Sequence, residues 1–488
     1  MGHAAPASDP GWLPAWQLRD QMVSGARSPV EVVGAALDRI AALDDRLHGF
    51  ITVAADAALA EARAREQALA AGQPPGPLFG VPVSVKDLYW TKGMTTTAGS
   101  LIYRDFVPEH DAVHVARLRA AGAVIIGKTN LPEFALFPRT VNRLLPECRN
   151  PWDLRRSPGG SSGGSAATVA AGMTPIALAS DGGGSIRIPA ALCGVYGLYP
   201  SNGLLPRHGG IGSTIMFSNA GPITRDVRDA AIMLSVLAGP DERDPACWTD
   251  PVPDYLAGLD EPAAGLRMRW VGDGGDVAGL DPRVVAAARD AASAFGTAGA
   301  VLEEAGQGFA AERWMESFYT MLLADRYASI GQQLYANPAT RGLLSDYGRS
   351  HFQRGSAVTG SEYSHALALR SSVIAHLRTL LGDADVLISP TVAAVAPAAG
   401  AIDRGPLVAF TFCVNYAGFT AATLPCGLVD GLPIGLQIIG RPGSEALLLR
   451  ISRVFEQARP WADRWPPVAM PGQCRVRPPS TASTDPVT

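Results

Sequence analysis

The chain has 488 residues, which is enough for one large domain or for two or three smaller ones. Hydrophobic residues make up 47% and charged residues 18%, a composition that excludes a disordered chain and allows a large core. The formal net charge of −4 argues against nucleic acid or an anionic membrane surface as a partner, because both bind basic surfaces.

The six cysteines indicate reduced thiols and not a structural scaffold. None forms a C-x-x-C pair, and their spacing suits neither a zinc site nor a disulfide framework. The N-terminal segment lacks the basic start and apolar run of a secretory signal, and no stretch reaches the roughly 18 uninterrupted apolar residues of a membrane span. We therefore expect a cytoplasmic protein with no membrane association.

The N-terminal part of the chain, residues 1–75, is predicted to be helical and to pack on the remainder. Ser28 and Glu31 form a capping box, with proline at the first helical position and apolar residues following at helical spacing. A further helix is predicted over residues 55–71, because the glycine and prolines that follow would end it there.

Beyond residue 75, short apolar runs alternate with segments of helical periodicity. This strand–helix–strand pattern predicts an α/β fold, with a sheet that carries helices on its faces. The predicted strands cover residues 81–85, 124–126, 176–179, 266–271, 386–388 and 435–439, and the predicted helices cover 112–121 and segments that begin after Thr224, Asp281 and Ser444.

Two further regions are distinguished by composition. Residues 241–383 lack glycine-rich motifs and are rich in helical patterns, so we expect a helix-rich insertion within a domain of residues 76–470. Residues 471–488 are rich in Pro, Ser and Thr and are expected to be poorly ordered.

Two glycine–serine segments carry the strongest chemical signal. Residues 157–167 read SPGGSSGGSAA, and residues 181–190 read DGGGSIRIPA. Glycine lets the backbone adopt positive φ and come close to a reacting group. Consecutive backbone N–H groups in such a turn can converge on one oxygen, as an oxyanion hole requires. The sequence therefore indicates a serine nucleophile beside an anion-stabilising turn.

Lys86 is the candidate base for such a nucleophile, because a serine hydroxyl reacts poorly until its proton is removed. It ends the apolar run 81–85, where burial would disfavour the charged form, lower the pKa and provide a neutral amine. The alternative is a charged strand terminus paired with Asp87. The local sequence leaves both interpretations open.

Several long segments, in a fixed order, resemble the amidase signature family. The matching positions extend from about residue 28 to residue 460, nearly the whole chain. The matches outside the two glycine–serine segments are GVPVSVKD at 80–87, GKTNLPEF at 127–134, RNPWD at 149–153, Phe410, Thr411, Asn415, Gly418 and GLPIGLQ at 431–437.

The resemblance implies a serine amidase with a lysine–serine–serine triad. Lys86 corresponds to the base, and Ser161 corresponds to the bridging serine, which follows a cis peptide bond in the family. Ser185 lies 24 residues later and corresponds to the nucleophile. The implied oxyanion donors are the backbone N–H groups of Gly182, Gly183, Gly184 and Ser185, and the implied supporting residues are Ser162, Asp181 and Arg187.

The resemblance also implies a single large α/β domain whose mixed, mostly parallel sheet is sandwiched between helices. It implies no metal and no organic cofactor, and it suggests a homodimer because many members of the family are dimers. The expected partners are water and a small amide-like substrate, either an amide, an anilide or a carbamate. The apolar composition favours a hydrophobic or aromatic substrate.

The match is weakest at positions that bear on substrate preference. The family often has lysine, arginine and proline at the positions of Tyr199, Leu204 and Thr420. We expect residues 137–145 and 314–335 to shape the substrate pocket. Four residues of the second segment would form either an aromatic wall or ordinary core packing: Trp314, Phe318, Tyr319 and Met321.

Three other chemistries fit less well. Residues 159–163 match G-x-S-x-G, the nucleophile elbow of α/β-hydrolases, but the preceding residues are not strand-like. Neither glycine cluster ends in the G-K-[ST] of a phosphate-binding P-loop. A nitrilase-like cysteine nucleophile would be Cys193, but this cysteine is expected to be a core residue. The elbow also requires a histidine, and none of the candidates has a recognisable setting: His208, His351, His365 and His376.

A partner-dependent enzyme is the alternative function. The family includes A-type subunits of glutamine amidotransferases, which release ammonia from glutamine within a multi-protein complex acting on charged tRNA. Activity of the isolated chain on simple amides would count against that function. The divergent Tyr199 and Leu204, and a C-terminal tail without an obvious docking domain, favour a free-standing hydrolase.

Overall fold

The computed structural model describes residues 9–212, 216–272, 277, 279–401 and 407–470. Within these residues, the strands form one 11-stranded sheet of order β1-β3-β2-β4-β6-β5-β10-β11-β9-β7-β8. The strands are β1 (Phe50–Val53), β2 (Pro82–Lys86), β3 (Val124–Thr129), β4 (Ile176–Asp181), β5 (Tyr196–Tyr199), β6 (Asn219–Thr224), β7 (Arg267–Trp270), β8 (Val301–Glu304), β9 (Val386–Pro390), β10 (Thr420–Val429) and β11 (Leu432–Gly440).

Several helices begin at a residue whose side chain caps them. Ser28 and Glu31 form the predicted capping box, and Asp281 caps the predicted helix that follows it. The helices are α1 (Ala15–Val23), α2 (Pro29–Leu47), α3 (Ala55–Ala70), α4 (Val113–Ala120), α5 (Gly163–Ala170), α6 (Arg187–Cys193), α7 (Val227–Leu237), α8 (Pro282–Thr297), α9 (Ala311–Arg326), α10 (Gln332–Ala336), α11 (Pro338–Leu343), α12 (Asp346–Ala357), α13 (Gly360–Leu381), α14 (Phe412–Ala417) and α15 (Glu445–Ala458).

Helices cover both faces of the sheet, and this explains why central strands such as β2 and β4 are buried along their whole length. Successive side chains of a strand point to opposite faces. Ile438 in β11 accordingly joins the core formed with α7, α8 and α15, whereas Ile439 joins the core formed with α13 and α14. The predicted single-domain α/β fold, with a mixed sheet between helices, is confirmed.

The expectation that the sheet is mostly parallel needs correction. Among the described strands, six pairings are antiparallel and four are parallel. The largest antiparallel pairing joins β10 to β11 through Asp430 and Gly431, which both have positive φ, of 54° and 75°. A two-residue turn of this kind can connect only antiparallel strands.

The peripheral regions also contribute to the sheet. β1 lies within the predicted helical segment 1–75, and β7 and β8 lie within the predicted insertion 241–383, together with α8–α13. The tail predicted over residues 471–488 lies outside the described residues. Of the helices that the structure describes, none is both long enough and apolar enough to cross a bilayer.

Candidate active site

The amine of Lys86 lies at the centre of a cluster of hydroxyl groups. Lys86 ends β2 and is fully buried, and its Nζ lies 2.7 Å from Ser161 Oγ, 2.8 Å from Ser162 Oγ and 2.9 Å from Ser180 Oγ. The strand therefore delivers the lysine directly to the glycine–serine segment, as the sequence predicts.

Burial is the main cause that lowers the pKa of Lys86 well below its ordinary value. The charge of Asp181 opposes this shift, and the charge of Arg326 adds to it. A lysine with a lowered pKa supplies the unprotonated amine that a base needs. Lys86 is thus chemically suited to remove a proton from a neighbouring hydroxyl.

Ser161 is held between Lys86 and the catalytic cavity by its loop. It follows a cis peptide bond with Gly160, as the resemblance implies. Thr140 Oγ1 donates a hydrogen bond to the Gly159 carbonyl at 2.9 Å and accepts one from the Gly163 N–H at 3.1 Å. The same threonine hydroxyl therefore ties together the two sides of the serine loop.

Ser185 stands in the turn between β4 and α6 and lines the same cavity as Ser161. The two serine loops are joined by a backbone hydrogen bond from the Ser162 N–H to the Ser185 carbonyl, at 3.2 Å. The Ser185 hydroxyl makes no hydrogen bond to another described residue. Of the two predicted proton-transfer contacts, the structure thus contains the one between Lys86 and Ser161.

Asp181 organises the turn that carries Ser185. Its carboxylate accepts hydrogen bonds from the N–H groups of Gly183 at 3.1 Å, Gly184 at 2.6 Å and Ile186 at 3.2 Å. Two of the four predicted oxyanion donors therefore already have a partner. The N–H groups of Gly182 and Ser185 have no partner within the described ranges.

Asp181 also forms a buried ion pair with Arg187. Arg187 Nε lies 2.9 Å from Asp181 Oδ2, and both side chains are fully buried. Burial opposes ionisation of Asp181, but Arg187 and the other hydrogen-bond donors outweigh it, and the pKa falls to about 2. The guanidinium also donates to Gln437 Oε1 at 2.8 Å and to the side-chain oxygen of Asn415. The C-terminal block of the sequence thus supports the nucleophile turn.

The catalytic cavity measures about 610 Å³, counting the solvent at its mouth. Its apolar lining comprises Ala135, Leu136, Phe137, Pro138, Ile188, Phe318, Tyr319, Leu322 and Val408. Both segments expected to shape the pocket contribute to it. Of the four residues proposed as an aromatic wall, Phe318 and Tyr319 line the cavity, whereas Trp314 and Met321 are packed in the core.

Two residues of the site, Ser180 and Arg326, were not among the predicted site residues. Ser180 immediately precedes Asp181 in β4, so its strand position was available as a signal. Arg326 is the last residue of α9 and lies within the segment 314–335 that was expected to shape the pocket, but no motif singled out this residue. The chemistry of both residues depends on packing between distant elements.

The other candidate groups take no part in this cluster. Cys193 is buried in the core, where desolvation raises the pKa of its thiol. His351 Nδ1 lies 2.7 Å from the Tyr347 carbonyl, within α12. In the part of the chain that the structure describes, no three His, Cys, Asp or Glu side chains are grouped so as to hold a metal.

Comparison with known proteins identifies the family. The sequence matches the family model described as Amidase over residues 31–449. The chain belongs to the amidase signature family. As a member of this family, the chain is a hydrolase that acts on amides.

Two similar solved structures and one curated sequence show how far the likeness extends. A bacterial aryl acylamidase of the amidase signature enzymes shares 29% identity, covers 92% of this chain and 97% of its own, and has a TM-score of 0.85. The peptide amidase of Stenotrophomonas maltophilia shares 32% identity, with coverage of 91% and 96% and a TM-score of 0.79. The A-type subunit of glutamyl-tRNA(Gln) amidotransferase from Moorella thermoacetica is 37% identical over 484 residues, 93% of this chain and 98% of its own.

Two of the three departures from the family pattern, Tyr199 and Thr420, contact each other, and Tyr199 lies against Arg187. The Tyr199 ring lies under the Arg187 guanidinium, 4.8 Å from it, and the Tyr199 hydroxyl donates to the Phe217 carbonyl at 3.1 Å. Thr420 Oγ1 donates to the Tyr199 carbonyl at 2.8 Å. These residues therefore replace the usual lysine and proline with a cation–π and hydrogen-bonded arrangement that leaves the triad untouched.

Proposed function

We propose that the chain hydrolyses an amide through an acyl-enzyme formed on Ser185, with Lys86 as the base and Ser161 as the proton relay. The observation that carries this proposal is the 2.7 Å contact between the Lys86 amine and the Ser161 hydroxyl inside a buried cluster. Neutral Lys86 takes a proton from Ser161, which takes one from Ser185 once the Ser185 hydroxyl has turned towards it.

The Ser185 oxygen then attacks the substrate carbonyl, and a tetrahedral oxyanion forms. We assign its stabilisation to the N–H groups of Gly182 and Ser185, because those of Gly183 and Gly184 hold Asp181. In sites of this kind, removing one donor raises the barrier by about 2.7–4 kcal/mol. Gly183 and Gly184, which lie between these two donors, stabilise the turn through their hydrogen bonds to Asp181.

Collapse of the tetrahedral species breaks the C–N bond. The proton held on Lys86 returns through Ser161 to the leaving nitrogen, which departs as the amine. Water then attacks the acyl-enzyme with the same groups acting as its base, and the acid is released. Ser162 and Ser180 keep the amine of Lys86 in place throughout, at 2.8 and 2.9 Å.

The lining of the cavity supports a substrate with an apolar body. Aromatic side chains from two separate segments, Phe137 from one and Phe318 and Tyr319 from the other, line the same cavity as Ser185. The high structural similarity to an aryl acylamidase is in keeping with this. We therefore propose an aliphatic or aromatic amide, anilide or carbamate as the substrate.

The sequence relatives favour a second function. Curated A-type amidotransferase subunits match nearly the whole chain, at 37% identity for the Moorella protein, whereas the two solved amidases share 29% and 32%. In that role, the chain would use the same triad to release ammonia from glutamine, within a complex that includes other proteins. It would then show little activity on simple amides when isolated.

One substrate panel tests both functions. Isolated protein is assayed with a 4-nitroanilide, an aryl carbamate, a primary amide, an ester and L-glutamine, beside Ser185→Ala and the control Ser235→Ala, whose hydroxyl bonds within α7. Turnover of simple amides that Ser185→Ala abolishes and Ser235→Ala retains supports the free-standing hydrolase. Turnover that survives Ser185→Ala would show that the nucleophile is wrongly assigned, and activity on glutamine alone would favour the amidotransferase role.

A further inference from the structure

Arg326 is a buried cation, and two nitrogens of its guanidinium donate no hydrogen bond to a described residue. Its side chain ends α9, and the residue is only 5% exposed. Its Nε and Nη1 atoms have no hydrogen-bond partner among the described residues, and no described carboxylate lies within ion-pair distance. A buried charge without partners is costly, so the position of this guanidinium points to the recognition of an anionic group.

The guanidinium stands where two cavities meet. Arg326 lines the catalytic cavity, and it also lines an adjoining space of about 390 Å³, here called the side chamber, whose wall includes Tyr89, His114 and Asn219. Ser180, which contacts the amine of Lys86, lines both spaces as well. An anion bound to Arg326 would therefore lie beside the triad and within the same cavity.

The charge of the adjacent Asp325 stabilises the Arg326 guanidinium, but no described carboxylate forms an ion pair with it. The adjacent Asp325 accepts a hydrogen bond from the Tyr363 hydroxyl at 2.9 Å, and Arg207 on the side chamber pairs with Asp244 at 3.0 Å. Among the described residues that line the catalytic cavity, Arg326 is the only one with a formal charge, and none is acidic. The cavity thus offers an apolar surface and one positive end.

This inference rests on the proposed function and specifies its substrate. We propose that Arg326 binds a carboxylate of the substrate, so that the enzyme acts on an amide with an apolar body and an anionic end. A guanidinium presents two parallel N–H groups to a carboxylate, and such charge-assisted bonds are the strongest that a side chain makes in water-poor surroundings.

The same lining distinguishes this substrate class from glutamine. Glutamine carries an ammonium group beside its carboxylate, and the described cavity lining has no acidic side chain to receive it. Burial of an unpaired ammonium near Arg326 would place two cations together. The monoamide of a dicarboxylic acid, which has the carboxylate and lacks the ammonium, is therefore the better fit.

Three sets of primary amides test the proposal, with ammonia release as the measurement. The anionic set is succinamate, glutaramate and adipamate, the neutral set is butanamide, pentanamide and hexanamide, and L-glutamine is the zwitterion. For wild-type protein we expect kcat/KM to be at least ~10-fold higher for the best anionic amide than for its neutral counterpart, and higher than for glutamine. Equal or higher values for the neutral amides, or for glutamine, would overturn the proposal.

Arg326→Gln should reduce the ratio of anionic to neutral kcat/KM by roughly 10- to 100-fold, because the charge-assisted bond is lost. The matched control is Arg313→Gln, an exposed arginine in the first turn of the same helix, which should retain the wild-type ratio. An Arg326→Gln protein with an unchanged ratio would show that the residue does not recognise the carboxylate.

A binding measurement separates this inference from the proposed reaction. Calorimetric titration with glutarate should show binding to wild-type protein and to Ser185→Ala, and weaker or no binding to Arg326→Gln. Pentanamide, which active enzyme would hydrolyse, is titrated into Ser185→Ala and into the double variant Ser185→Ala/Arg326→Gln, and should bind both alike. If Arg326→Gln binds glutarate as tightly as wild type does, the carboxylate site is refuted even when the enzyme is active. If the enzyme is inactive but binds glutarate through Arg326, only the proposed reaction is refuted.

Arg326→Met adds a readout that a structural role would not produce. If Arg326 supports the fold, this variant should melt at a lower temperature than wild type. If its bonds are reserved for a ligand, removal of an unpaired buried charge should leave the melting temperature unchanged or raise it. A marked fall in the melting temperature would therefore count against the proposal.

Discussion

The ammonium group of Lys128 lies 3.4 Å from the carboxylate of Asp87, and both side chains are fully buried. Asp87, which follows Lys86 in the sequence, is therefore paired with Lys128 and not with Lys86. Lys128 also donates to the Tyr89 carbonyl at 2.6 Å and to Thr96 Oγ1 at 2.8 Å, and burial lowers its pKa to about 8. This pairing removes the alternative in which Asp87 holds Lys86 as a charged strand terminus, and it leaves the amine of Lys86 to the serines.

Replacement of the base is the first prediction. Lys86→Ala should lower kcat/KM by about 10²–10⁴-fold, the usual contribution of a general base, while the protein still folds. Lys128→Ala is the comparison, because it removes the other buried lysine of this region and leaves Asp87 without its cation. We expect Lys128→Ala to lower the melting temperature more than Lys86→Ala does. Circular dichroism and steady-state kinetics provide the two measurements, and wild-type rates for Lys86→Ala would remove the base assignment.

The pH dependence of kcat/KM should report the amine of Lys86. The neutral form is the active one, so activity should rise with pH through the lowered pKa of Lys86 and fall on the acid side. Burial is the main cause of this lowering, and the charge of Arg326 contributes to it. Arg326→Gln should therefore raise the pKa and move the acid limb to higher pH.

The pH profile is best measured on a neutral amide, so that carboxylate binding plays no part. An acid limb that moves to lower pH in Arg326→Gln, or a wild-type limb that coincides with an ordinary lysine pKa, would contradict the assignment.

The ion pair beneath the nucleophile turn should dominate the stability of this region. Arg187→Met leaves the Asp181 carboxylate buried without its cation, which typically costs about 3–5 kcal/mol. Arg155→Met, which breaks an exposed pair with Asp153, should have little effect. Urea unfolding gives the comparison, provided that the two variants have the same m-value. Equal unfolding midpoints for the two variants would show that the buried pair does not stabilise the fold.

The same pair predicts a dependence of stability on acid. The folded pKa of Asp181 is lowered to about 2 from 3.8, so its contribution is present above the unfolded value and is lost as the pH falls through the folded value. The shift corresponds to about 2 kcal/mol. In wild type, the free energy of unfolding should fall between pH 4 and pH 2 by more than it does in Asp181→Asn, provided that this variant folds.

Gly184 is the glycine of the turn that should tolerate a side chain least. Its φ is +125°, and a Cβ atom would collide with Thr411 and with Ile188. Gly184→Ala should therefore displace the turn and abolish activity. Gly296→Ala, within α8 and with open space at its Cβ, should stabilise the protein by about 0.5–1 kcal/mol and leave activity intact. Full activity of Gly184→Ala would show that the turn geometry is not required.

Local patterns in the sequence were enough to locate the elements that carry the triad. The apolar run before Lys86, the capping box at Ser28 and the glycine–serine segments act over a few residues, and the structure places each of them as predicted. The triad roles themselves came from the family resemblance. The cluster around the amine was predicted in part, because Ser161 and Ser162 belong to a motif whereas Ser180 does not.

The features that the sequence could not supply depend on long-range packing. Which N–H groups remain free for an oxyanion is decided by where the Asp181 carboxylate points, and that is fixed by Arg187 and Asn415. Arg326 reaches the cavity because residues of α9 line it. The preponderance of antiparallel pairs likewise follows from how β10 and β11 enter the middle of the sheet, and not from any strand taken alone.

The hydrogen bond from Arg187 to Gln437 spans 250 residues of chain. A ribosome must therefore complete β11 before the turn around Ser185 can acquire its full set of partners. Nascent chains that already contain Lys86, Ser161 and Ser185 should thus remain inactive until β11, the last of the described strands in chain order, has emerged.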